Sequence, residues 1–159
     1  MARSSSRRRF DSLEQEAYLN LWRTYDCLKA LEDELFAPIG LSPQQYNALR
    51  LLKAALPGTL TVQGLGSRLI SRAPDMTRML DRLEERGWIR RERRADNRRV
   101  VDVAITENGA ALLEQLAAGV RDCHRRQLGH LTSTQLQQLV ALLERARAAH
   151  ESDPPEALG

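Results

Sequence analysis

Ten arginines stand among residues 71–99, against six acids. Arginine presents a rigid planar fork of N–H donors that fits the guanine edge and phosphate oxygens bidentately. Charge placement singles the segment out further. Residues 1–9 carry +4 and residues 71–99 carry +4, while the remainder carries −5, which gives the net +3. A basic segment within an acidic body is the electrostatic footprint of a nucleic-acid binder. The competing reading is a solvated, salt-bridged surface. Other chemistries lack their residues. There is no nucleophile–base pattern, no Gly-rich phosphate loop and no pair of carboxylates at catalytic spacing, so no enzyme activity is expected. Cys123, His124 and His130 suggest a metal at first sight. However, positions 124 and 130 do not share a helical face and no carboxylate stands at ligand spacing, so neither metal nor cofactor is expected. Cys27 has only Lys29 as a nearby cation, which favours a core or interface cysteine over a redox sensor.

The elements that must hold these arginines follow from capping signals and periodicity. Ser12 with Gln15 forms a capping-box pattern and opens a helix reaching about Phe36. Leu13, Ala17, Leu21, Leu28, Leu31 and Leu35 share one face of it, while Tyr18, Trp22 and Tyr25 form a second stripe beside the first. Two adjacent apolar faces predict more than one neighbour, one of which can be another subunit. Ser42-Pro43-Gln44-Gln45 restarts a helix with Tyr46, Leu49 and Leu52 inward, stopped by Leu56-Pro57-Gly58. Thr61 caps a short helix carrying Leu65 and Leu69. Ser71-Arg72-Ala73 then turns into a helix expected to open at Pro74.

In that helix Met76, Met79, Leu80 and Leu83 point inward, whereas Pro74, Arg78, Asp81, Arg82 and Glu85 point outward, and Gly87 supplies the stop. Two short helices joined by a tight turn, the second bearing outward arginines, read as a helix-turn-helix. Residues 88–93 and the alternating Val101, Val103 and Ile105 predict a hairpin with Arg94-Ala95-Asp96-Asn97-Arg98-Arg99 at its tip. A helix fits the major groove, and a narrow ribbon tip can place an arginine in the minor groove, where negative potential concentrates. The combination is a winged helix. Thr106 caps the next helix, to about Leu128, and Thr132 with Gln135 caps a last one bearing Leu136, Leu139, Val140 and Leu143.

Over residues 12–148 the sequence resembles the MarR-type (multiple-antibiotic-resistance regulator) winged-helix transcription factors. The resemblance is carried by residues 77–91 (Thr77-Arg78-Met79-Leu80-Asp81-Arg82 onward), by Asp96-Asn97-Arg98-Arg99 and by Ile105-Thr106-Glu107-Asn108-Gly109, in that order and at matching spacings. It implies a homodimer of triangular outline that binds pseudo-palindromic double-stranded DNA, most often as a repressor. Such dimers are often released by a small aromatic or anionic effector in the cleft between lobe and dimer bundle. By match to the family's motifs, Thr77, Arg78 and Arg82 face the major groove or its phosphates, Arg98 or Arg99 enters the minor groove, and Asp96 orients the wing arginine. Arg72, Pro74 and Asp75 complete the expected DNA-facing set. Ala73-Pro74-Asp75 departs from the small hydroxyl residues usual there. With Pro74 first in the helix, Ala73 is a poor cap, and Asp75 repels the backbone unless it reads a cytosine amino group or pairs with Arg72 or Arg78.

The expected architecture is therefore mainly α with a small β-hairpin wing (α+β). A flexible basic arm spans 1–11, a dimerisation helix 12–40, and a winged helix-turn-helix lobe 41–105, with its recognition helix at 74–87 and wing at 88–105. Dimerisation helices occupy 106–150, and a disordered tail 151–159. Tyr18, Trp22, Tyr25 and Tyr46 are candidates for an effector pocket, against the plainer reading of core or interface aromatics. No apolar run approaches the ~20 residues of a membrane span, and no signal peptide is evident at the N-terminus, so a cytoplasmic protein without membrane partners is expected. The functional expectation is a dimeric, sequence-specific transcription regulator, set against two alternatives: a protein-interaction module on the same scaffold, and a sequence-tolerant architectural DNA binder.

Overall fold

A side-chain cap opens nearly every helix of the computed structural model, which describes residues 10–151. Unpaired N–H groups at a helix start need acceptors, and short polar side chains supply them. Ser12 accepts from the Gln15 amide at the head of α1 (Leu13–Phe36). Ser42 and Gln45 form a full capping box on α2 (Pro43–Ala54), and Thr61 caps α3 (Val62–Arg68). Asp75 caps α4 (Met76–Glu85), Thr106 caps α5 (Glu107–Leu128), and Thr132 with Gln135 boxes α6 (Ser133–Ala148). A 3₁₀ turn, Ala37–Ile39, links α1 to α2. Residues 1–9 of the expected basic arm, 1–11, and residues 152–159 of the expected tail, 151–159, lie outside the described residues. Asp11, assigned to that arm, is already fixed, its amide donating to Gln15 Oε1 at 2.8 Å.

Strands β2 (Ile89–Arg93) and β3 (Val101–Ile105) form the expected antiparallel hairpin. A third strand, β1 (Leu60–Thr61), is not among the expected elements; it pairs on the other side of β3, giving the order β1-β3-β2. Two residues carry no periodicity of their own, so β1 exists only because β3 offers it a free edge. The core joins Leu49 and Leu52 of α2, Leu65 of α3, Leu80 and Leu83 of α4, Ile89 and Val103 of the sheet, and Leu113, Leu116 and Val120 of α5. The turn from α4 to the hairpin is stitched to the head of α5. Thr106 Oγ1 donates to the Gly87 carbonyl at 2.6 Å, and the Thr106 amide donates to the Trp88 carbonyl at 3.0 Å. Gly109 lets α5 come this close, since a Cβ there would stand 2.2 Å from the Trp88 carbonyl oxygen.

The two outer helices pack differently. On α1 the expected apolar face is covered only toward its end, at Leu28, Leu31 and Leu35, while Leu13, Ala17 and Leu21 are exposed. No residue of α6 is buried. Gln127 of α5, itself buried, donates to the Leu28 carbonyl at 2.9 Å and accepts from His124 Nδ1, so α1 and α5 are joined by a satisfied polar contact. No helix among the described residues is long and apolar enough to cross a membrane.

Candidate nucleic-acid interface

The ten arginines of 71–99 fall into two sets of five. The first set is held by the protein itself. Arg86 donates to the Ile39 carbonyl at 3.0 Å and lies 4.1 Å over the Trp88 ring. Arg90 stands 3.8 Å from Glu92. Arg91 bonds both Asp81 and Glu84 at 2.6 Å. Arg93 donates to the Arg98 carbonyl at 3.0 Å, and Arg94 grips Asp102 bidentately at 2.7 and 2.9 Å. The second set is Arg72, Arg78, Arg82, Arg98 and Arg99. All five are exposed, and none has a side-chain partner among the described residues. This set coincides with the arginines expected from sequence to face DNA.

Helix α4 explains half of that outcome. Met79, Leu80 and Leu83 bury one face in the core, which forces Arg78 and Arg82 onto the opposite one. Thr77 is exposed beside them. The helix starts at Met76 and not at Pro74, a correction with a clear cause. Asp75 is the N-cap, its carboxylate accepting from the Arg78 amide at 2.9 Å, and Pro74 belongs to the preceding turn. Ala73 is thus not the cap, and the hydroxyl usual in this stretch is replaced in its capping role by a carboxylate one position before the helix. At the other end Arg86 is the C-cap and Gly87 takes φ +70°, which continues the chain into the wing.

The wing tip supplies the other half. The Arg99 amide donates to Asn97 Oδ1 at 3.1 Å, and the Val100 amide donates to the Asn97 carbonyl at 2.9 Å. Asn97 therefore shapes the tip. Asp96 makes no hydrogen bond to Arg98 or Arg99 among the described residues; its charge acts on Arg94 beside it. Asn97 is legible in the sequence as a turn residue, and its side chain closes an Asx-type turn onto the backbone two residues on. Below the tip, Arg94 on Asp102 holds that carboxyl below its ordinary value. Arg91 does the same to Glu84, through side-chain bonding that outweighs the opposing effect of burial. Neither pair is visible in the sequence, where strand and helix charges enter only as a total.

The candidate effector aromatics are not brought together. Tyr18 and Trp22 are neighbours, 6.2 Å between ring centroids, and with Tyr25 they are about three-fifths exposed along α1. Tyr46 packs instead on Phe36, 4.9 Å between centroids, at the edge of the lobe core. Eleven residues of α1 separate Tyr25 from Phe36, roughly 16 Å of helix. A cavity of about 450 Å³ opens between the start of α2 and the end of α4, lined by residues including Gln45, Arg82, Arg86 and Trp88, and none of the four aromatics lines it. Cys27 is exposed on α1, so the core reading fails for it within this chain; Cys123 is buried, and burial pushes its thiol pKa up. Among the described residues no group of three or more His, Cys, Asp or Glu could hold a metal ion.

Comparison with known proteins converges on one family. A model described as the MarR family matches residues 41–101, the segment from the start of α2 to the wing. The chain is 28% identical over 143 residues to the HTH-type transcriptional repressor MdtR of Bacillus subtilis (strain 168), covering 90% of this chain and 91% of that protein. It is 52% identical to a MarR transcription factor from Planctomyces limnophilus, with a TM-score of 0.69 over 86% of this chain and 99% of that structure. A mutant MarR from E. coli complexed with operator DNA is 27% identical, with a TM-score of 0.73 over 85% of this chain and 98% of that one.

Proposed function

The chain belongs to the MarR family of winged-helix, DNA-binding transcriptional regulators, and from that premise we propose that two copies bind one pseudo-palindromic operator and repress transcription. The lobe of residues 41–105 reads the DNA, and residues 12–40 with 106–150 form the dimer. The observation that carries this reading is the division of the arginines. Five have an internal partner, tightly paired in Arg91 and Arg94 and loosest in Arg90, and the five without one among the described residues sit on the outward face of α4, in the turn before it and at the wing tip. A surface that existed only to be solvated gives no reason for that sorting. In the proposed complex Arg78 and Arg82, with Thr77, enter the major groove, where a bidentate guanine contact supplies specificity. Arg98 or Arg99 enters the minor groove, drawn by its negative potential. Arg72 and the turn at Pro74 lie against flanking phosphates.

Support for the dimer comes from α1 and α6. Tyr18, Trp22 and Tyr25 share one stripe of α1 and are more than half exposed, as are Val140 and Leu142 on α6, and exposed apolar surface of this kind is what a second subunit covers. We extend the proposal to release by a small aromatic or anionic effector. The cavity lined by Arg82, Glu85, Arg86 and Trp88 supports that extension through Arg82, whose guanidinium has no partner among the described residues and is also a proposed DNA contact, so an anion held there would compete with DNA.

Selection of bound sites from randomised duplex DNA at near-physiological salt tests the central claim. The expected result is an enriched inverted repeat with half-sites about one helical turn apart, bound roughly 10³-fold or more tighter than random DNA. A ratio near one would overturn it: binding that only faded with salt would indicate an architectural binder, and no binding would direct attention to protein partners.

A further inference from the structure

We propose that Arg91 is a positioning residue for DNA recognition: clamped by Asp81 and Glu84, it locks the wing to the recognition helix so that both readers approach DNA as one rigid piece. Four hydrogen bonds tie one strand residue to two residues a helical turn apart, Asp81 and Glu84. Arg91 Nη2 bonds Asp81 Oδ1 at 2.6 Å and Glu84 Oε2 at 2.6 Å, while Nε also bonds Glu84 Oε2 at 3.0 Å. The Arg91 main-chain amide donates to Glu84 Oε1 at 2.9 Å. That last bond fixes the position of the backbone as well as the side chain. Strand β2 is an edge, and the amides facing β3 belong to the alternate residues, as Arg94 donating to the Val100 carbonyl illustrates. The Arg91 amide therefore points outward, and Glu84 covers it as a further strand would.

The clamp is half-buried at Arg91, whose side chain is 24% exposed. Its guanidinium is committed to two carboxylates, so little of its charge is left for phosphate. Arg78 and Arg82 ride on the same helix as Asp81 and Glu84, and Arg98 and Arg99 sit at the far end of the strand pair that Arg91 anchors. Helix and wing meet covalently only at Arg86–Trp88, a linkage that includes a glycine at φ +70°. The core joins helix and sheet on their inner side, through Leu80, Leu83, Ile89 and Val103; Arg91 adds the polar tie on the outer side, and without it the spacing between major-groove and minor-groove readers is less firmly preset. Geometry set in advance lowers the ordering cost of binding.

The inference rests on the DNA-binding reading, and one readout is chosen to be independent of it. Wild type, Glu84→Ala, Glu84→Gln and Arg91→Ala are compared for affinity to the selected operator and to random duplex across salt. Exchange of the Arg91 amide hydrogen is followed without DNA, with α2 core amides reporting that each variant is folded. Simple electrostatics predicts that removing an acid beside DNA tightens binding. The clamp predicts the opposite for Glu84→Ala: operator affinity falls about tenfold, within the range of couplings inside one bonded network. Random-duplex affinity should not fall, and the Arg91 amide should exchange faster. Glu84→Gln keeps an acceptor in place and recovers part of both effects. Arg91→Ala leaves the salt slope unchanged, because Arg91 neutralises no phosphate. Equal or tighter operator binding by folded Glu84→Ala overturns the proposal, as does a slope that drops by about one unit in Arg91→Ala. A wild type that does not prefer operator over random DNA overturns the functional reading and the positioning role together. An Arg91 amide unprotected in free wild type overturns the clamp alone.

Discussion

Asp75 stands in front of a helix whose outward face is proposed to meet phosphates, and its capping bond explains what an acid does there. The carboxylate accepts from the Arg78 amide at 2.9 Å, so its charge faces the positive end of the helix dipole. Asp75→Ala should lower stability by about 1 kcal/mol, the usual cost of a lost N-cap. Asp75→Ser should restore most of that loss while binding DNA more tightly than wild type, because it caps without the charge. Chemical denaturation and operator titration of the two variants check both halves. A second residue-scale expectation concerns acid. Bonding to Arg91 lowers the pKa of Glu84 from 4.5, and bonding to Arg94 lowers that of Asp102 from 3.8. A depressed folded-state pKa contributes stability that is complete above the ordinary value and lost as pH falls through the folded one. Thermal midpoints should therefore decline below about pH 4.5, modestly, because both pairs are partly solvated. Glu84→Gln should flatten the upper part of that decline; an unchanged profile would mean that Glu84 titrates as it does in the unfolded chain.

At the scale of elements, the wing is the place where charge alone misleads. Arg94, Arg98 and Arg99 are near neighbours in sequence and identical in type, yet Arg94 is spent on Asp102 at the wing's base while Arg98 and Arg99 are unpartnered at its tip. Arg98→Ala and Arg99→Ala should each weaken operator binding, and the salt slope should drop by about one unit for each phosphate no longer neutralised. Arg94→Ala should leave the slope nearly intact and instead loosen the hairpin. Slopes and affinities unchanged from wild type in the Arg98 and Arg99 variants would remove the wing from the interface. The helices are legible in the sequence because Ser12, Ser42, Thr61, Thr106 and Thr132 each announce a start through local chemistry. The start of α4 is less so, because Pro74 is as suited to a turn as to a first helical position, and the carboxylate that settles the matter lies one residue later. β1 and the Arg91 clamp are not legible, since both depend on which elements the tertiary fold brings side by side. The free arginines of the interface can be named from the sequence by their place on a helix face and a hairpin tip. Their being free is visible only once their sisters' partners are known.

The whole molecule, as one chain, leaves its two outer helices incompletely covered. Only the end of the apolar face of α1 packs, at Leu28, Leu31 and Leu35, and α6 is no more than half-buried, at Leu136, Leu139 and Leu143. A 16-residue helix with no fully buried residue is marginal in water, because helices in proteins draw most of their stability from packing one face. A second copy, contributing the same α1 and α6, covers like with like, as a two-fold interface requires. Sedimentation should therefore give twice the 18.0 kDa of one chain. Trp22→Glu on α1 and Leu142→Glu on α6 each place a charge in the proposed seam, and both should shift the protein toward the single-chain mass. They touch neither the lobe core nor the unpartnered arginines, so the isolated lobe keeps its reading surface. Binding to a full inverted repeat should then fall toward that of one half-site, because the second lobe no longer binds at the raised local concentration that linkage provides. A wild type that sediments at 18.0 kDa, with the α6 amides protected from hydrogen exchange, would show that these faces need no second copy, and the two-lobed operator would lose its structural basis.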